Sequence, residues 1–109
     1  MNAHARIDQR SLAFGCAIAA RVAENPQLIQ HARENLTRWL GACSPRARST
    51  LQEWMSILDG PTEGIAAVLT GTDERAVRLR QSNPFAGVLA AQERNAILRR
   101  FQLHDPAST

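Results

Sequence analysis

The sequence has no lysine and no tyrosine, and aromatic residues make up only 5% of its 109 positions. No stretch approaches the roughly 20 consecutive apolar residues of a membrane-spanning helix, which excludes an integral helical membrane protein. The opening residues, Met1 to Arg10, are polar and include Asp8, so they do not read as a secretory leader. Cysteine occurs twice, at Cys16 and Cys43, too sparsely for a disulfide scaffold; both are expected reduced and buried in a cytoplasmic protein. The three histidines, His4, His31 and His104, have no Cys, Asp or second His at ligand spacing, so no metal site is expected. There is no glycine-rich phosphate loop and no serine framed as a nucleophile elbow. The acids stand singly except Asp73-Glu74, placed where a helix start favours negative charge. These absences point away from an enzyme and imply no cofactor.

What remains is ordinary for a globular chain: 44% hydrophobic and 21% charged residues. The length suits one domain with one core. Prolines follow cap-type residues at Asn25-Pro26, Ser44-Pro45, Gly60-Pro61 and Asn83-Pro84, and each pair reads as a helix start. Gly41, Gly60 and Gly71 are expected as left-handed helix ends. Between these marks apolar residues recur at helical spacing. The stripes are Leu12, Cys16, Ala19 and Val22 (helix 9–24); Leu28, Ala32, Leu36, Trp39 and Leu40 (26–40); Ala47, Leu51, Trp54 and Leu58 (45–58). Further on come Ile65, Val68 and Leu69 (61–70); Ala76, Val77 and Leu79 (about 72–81); and Ala96, Ile97, Leu98 and Phe101 (90–103). Residues 84–89 read as a structured turn, and 1–6 and 104–109 as frayed ends. The expectation is an all-α single domain of five to seven short helices. Leu36, Trp39, Leu51 and Trp54 share its core, with the two tryptophans in contact.

All 13 basic residues are arginine, against ten acids. A biased codon usage accounts for this, and so does selection for bidentate contacts to phosphate or carboxylate. The segment from Arg75 to Arg100 holds six arginines (Arg75, Arg78, Arg80, Arg94, Arg99, Arg100) and one acid, Glu93. That asymmetry suits a phosphate backbone, an acidic protein surface or a solvated face. Between its two basic helices, Phe85, Val88 and Leu89 either tuck under the core or form an apolar anchor ringed by arginine. A second region, Ser44, Arg46, Arg48 and Ser49, puts two arginines in the first turn of a helix, where the dipole disfavours them. It reads as an anion site or as a solvated surface.

Residues 62–81 carry a faint helix-turn-helix pattern, with Ala67 as the small residue, Gly71 at the turn and Val77 buried. Arg75, Arg78 and Arg80 would then face nucleic acid. Thr70 and Thr72 stand where that motif prefers apolar residues.

The ending, "LRQSNPFAGVL" followed by "ERNAILRRF", resembles small helical bacterial antitoxins encoded ahead of a toxin gene. The resemblance implies neutralisation of a toxin by direct contact, often with operator binding. It assigns the contacts to Pro84, Phe85, Val88, Leu89, Arg99, Arg100 and Phe101. The expectation from sequence is thus a non-enzymatic interaction protein with a basic carboxy-terminal face, the alternative being a small nucleic-acid-binding regulator. A homodimer through an apolar helix face is compatible with a chain this small.

Overall fold

The computed structural model describes the backbone of residues 3–103 and the side chains of residues 9–101. Six helices follow one another: α1 (Ala3–Glu24), α2 (Leu28–Leu40), α3 (Pro45–Asp59), α4 (Thr62–Thr70), α5 (Glu74–Arg80) and α6 (Ala91–Leu103). No strand occurs among the described residues, and the all-α architecture is as the apolar periodicity indicates. No helix among them is long and apolar enough to cross a membrane. The first helix begins at Ala3, earlier than expected. Residues 104–109 lie outside the described residues.

α1 packs against α4, α5, α6 and α2, while α2 pairs with α3 and α4 with α5. The core gathers Ile18 and Val22 from α1, Ala32 and Leu36 from α2, Leu51, Trp54 and Leu58 from α3, and Ile65, Val68 and Leu69 from α4. Leu79, Phe85, Leu89 and Ile97 complete it. The phase of α1 differs from the expected stripe. Gly15, Ile18 and Val22 are buried, whereas Cys16 is exposed, because the helix presents its glycine to α4. A β-carbon on Gly15 would lie 2.0 Å from the Leu69 carbonyl oxygen, so the two backbones touch there. Cys43 is half-buried, and the expectation of two buried thiols is corrected. Trp39 is also only half-buried, packed on the outside of the core, and the ring that Trp54 meets is Phe85.

The proline pairs play different parts in the fold. Ser44 caps α3 as expected, its Oγ accepting from the Ala47 N–H, with Pro45 at the first helical position. Asn25-Pro26 instead forms a turn ahead of α2, in which Asn25 Oδ1 accepts from the Gln27 N–H. Pro61 flanks α4 in extended geometry, and Asn83-Pro84 starts no helix. Gly41, Gly60 and Gly71 all have negative φ, contrary to the left-handed ends expected. Gly60 is extended because a following proline disfavours the helical region. The single positive φ among the described residues belongs to Gly87.

Candidate functional site

The chain between α5 and α6 builds a corner that organises the most distinctive surface. Asn83 Oδ1 accepts from the Phe85 N–H at 2.9 Å, turning the backbone. The Val88 N–H then closes on the Phe85 carbonyl at 3.2 Å, and Gly87 supplies φ of 85° at the third position of that turn. This is a type II turn, which needs glycine there. Side chains of α2 hold the corner from below. Buried Asn35 donates from Nδ2 to the Pro84 carbonyl at 2.9 Å, and its Oδ1 accepts from Arg38 at 2.6 Å. His31 Nε2 lies 2.8 Å from the Ala86 carbonyl oxygen.

Pro84, Phe85 and Leu89 are therefore buried, so of the two alternatives the corner tucks under the core, and the exposed apolar anchor assigned to partner contacts at Pro84, Phe85 and Leu89 is corrected. Phe85 is only 2% exposed, and Val88 is half-buried against the core. The turn brings the ring of Phe85 onto Trp54, which leaves little of it at the surface.

The basic surface is also redistributed. Arg75 and Arg78 converge on one carboxylate, with Arg75 Nε 2.8 Å from Glu53 Oε2 and an Arg78 Nη 2.9 Å from Oε1. The hydrogen bond from Arg78, reinforced by Arg75, holds the Glu53 carboxyl below its ordinary range. Arg80 is buried. One terminal nitrogen donates to the carbonyls of Val68 and Gly71, and Nε reaches Ser11 Oγ. It thus ties the end of α4 to α5 and α1. The helix-turn-helix pattern fares poorly in geometry, since Ala67 is exposed, Val77 only half-buried and Gly71 extended.

Arg99 and Arg100 remain exposed, with Phe101 half-buried. At about 100° of rotation per residue they point well away from Leu98 on α6. Arg46, Arg48 and Ser49 are exposed at the start of α3. The Ser44 hydroxyl is already engaged as the cap. Nothing beyond the helix start itself marks that segment as an anion site.

Sequence reasoning missed a groove. It is about 610 Å³ in volume and runs between α1, the corner and α6. Phe14 and Ile18 of α1, Phe85 and Leu89 of the corner and Leu98 of α6 form its apolar floor. Arg10, Ser11, Arg80, Gln81, Asn83 and Arg94 supply its polar positions. Arg10 and Arg94 are exposed and meet no carboxylate among the described residues. The signal was present as spacing: Arg10, Phe14 and Ile18 share one helix face, and so do Arg94 and Leu98. Glu93 fixes how α6 lies. It accepts from Arg21 of α1 at 2.5 Å and from the Ala90 N–H at 3.4 Å. The Arg21 hydrogen bond lowers the Glu93 carboxyl and raises the Arg21 guanidinium. A second cleft, about 330 Å³, lies between α1 and α4 around Ala19, Ala23, Pro26 and Ala66; no cation lines it. Comparison with protein-family models, with curated proteins and with solved structures finds no match for this chain.

Proposed function

We propose that this chain is a non-enzymatic binding module that acts antitoxin-like, by direct contact with an acidic partner protein. The contact surface in this reading is the groove between α1, the corner and α6. One observation carries it: Arg10 and Arg94 flank an apolar floor without a carboxylate partner among the described residues, while Arg21 and Arg33 are each paired and Arg75 and Arg78 share Glu53. Cations beside the half-buried Phe14 and Leu98 suit an interface with an apolar centre and a charged rim. The described lining contains no carboxylate, histidine or cysteine, so it offers no group suited to proton transfer near neutral pH. The sharing of Glu53 by Arg75 and Arg78 leaves a single net positive charge there and weakens the support that a nucleic-acid reading drew from α5.

The test is retention of the native partner, identified by mass spectrometry, on immobilised variants. The pair Arg10→Glu with Arg94→Glu is expected to lose it, and Arg99→Glu with Arg100→Glu to keep it. The reverse pattern would move the site to the outer face of α6. A retained nucleic acid, with affinity falling steeply as salt rises, would favour the regulator reading instead.

A further inference from the structure

The groove has polarity along its length as well as across it, and that limits what fits. The contact of Arg21 with Glu93 sets the start of α6 beside residue 21 of α1. Leu98 then shares the groove with Phe14 and Ile18, so α6 runs back antiparallel along α1. Arg94 therefore stands near one end of the groove. Arg10 stands near the other, eleven residues back along α1, or roughly 16 Å at the rise of an α-helix. The apolar floor lies between them.

Resting on the binding reading above, we infer that the groove receives an amphipathic helix of the partner with two acidic side chains on one face, two or three turns apart, and apolar residues between them. Acids at positions i and i+7, or i and i+11, sit on one helix face roughly 10 to 16 Å apart. With the reach of two arginine side chains, that span meets Arg10 and Arg94 together. Acids at i and i+4 are only roughly 6 Å apart and engage one end. Leucines at i+3 and i+4 would face the half-buried Phe14 and Leu98, with Leu89 beneath them. A helix fits better than an extended segment. The walls are two helices and a closed turn, with no strand edge among the described residues to pair with added backbone. Charge complementarity separates this groove from the cleft between α1 and α4, which has apolar surface but no cation.

Three synthetic amphipathic helices of about 16 residues test the inference. They share their leucines and carry two glutamates spaced i,i+4, i,i+7 or i,i+11. Binding is followed by NMR shifts of the full chain. One of the two longer spacings should bind most tightly and shift signals of Phe14, Leu89 and Leu98. Replacing either glutamate by glutamine should weaken it about fivefold, the upper range for an exposed ion pair. Arg10→Ala should abolish sensitivity to one glutamate only, and Arg94→Ala to the other. Both arginines are exposed and have no carboxylate partner among the described residues, so these variants should keep the parent melting temperature, which is checked in parallel. Equal affinity for all three peptides at the groove overturns the spacing while leaving the groove as the binding surface. Absence of shifts at the groove with every peptide overturns the helix. If the native partner is then also indifferent to Arg10→Glu with Arg94→Glu, the binding reading falls with it.

Discussion

Trp54 and Phe85 meet edge to face, their ring centres 6.3 Å apart at an interplanar angle of 74°. The contact joins α3 to the corner that floors the groove, so the site rests on the centre of the core. The Trp54 indole N–H also donates to the Leu79 carbonyl at 2.7 Å, tying the same ring to α5.

Trp54→Ala should therefore cost about 3–5 kcal/mol, as buried aromatic truncations do. Trp54→Phe keeps most of the volume and removes one of the two donors to the Leu79 carbonyl, which still accepts from the Ser82 N–H, so it should cost only about 0.5–1.5 kcal/mol. Chemical denaturation with parallel circular dichroism measures both. A loss below about 1 kcal/mol for the alanine variant would contradict the packing described.

Glycine substitutions should divide by position. Gly15→Ala sets a methyl group against the Leu69 carbonyl, a backbone atom that cannot rotate away, and should cost at least about 1–3 kcal/mol. Gly64 of α4 has open space around its Cα, so Gly64→Ala should stabilise by about 0.4–1 kcal/mol. Thermal melts of the two variants should move in opposite directions.

Asn35→Ala removes the donor from the buried Pro84 carbonyl and should destabilise by about 1–3 kcal/mol. Its local signature should be faster amide exchange at Val88, whose N–H closes the turn on Phe85. Unchanged exchange there would mean that the corner does not depend on α2.

Much of the framework was legible from spacing alone. The stripes at Leu51, Trp54 and Leu58 and at Ile65, Val68 and Leu69 are the buried faces of α3 and α4. α1 was misphased because its closest contact is made by a glycine, which an apolar pattern does not count. The pairing of Arg75 and Arg78 with Glu53 was not legible, because the carboxylate lies 22 and 25 residues away on another helix. The groove was missed for the same reason: its walls are α1 and α6, brought together from opposite parts of the chain. Local charge counting saw six arginines but not that two of them share one carboxylate and a third is buried.

The pairing also sets the acid response. Glu53 and Glu93 both have carboxyl pKa values below the ordinary 4.5 when folded. The unfolded chain thus takes up protons first as pH falls. Each contribution is present in full above about pH 4.5 and is lost as pH drops through the lower folded value. Glu53→Gln should accordingly flatten the fall in melting temperature between about pH 5 and 3, with little effect on its slope near pH 7. An unchanged acid limb would show that solvent screens this exposed cluster almost completely.

The helix order has a consequence for biosynthesis. α1 precedes the other five helices, yet three of its packing partners, α4, α5 and α6, follow far downstream. As the ribosome releases the chain, the pair α2–α3 can meet early, while Ile18 and Val22 wait uncovered for tens of residues. Translation at about 5–20 residues per second leaves that surface open for seconds. The interval is when a chaperone, or another nascent copy, has access to α1, and it closes only once α6 has been translated.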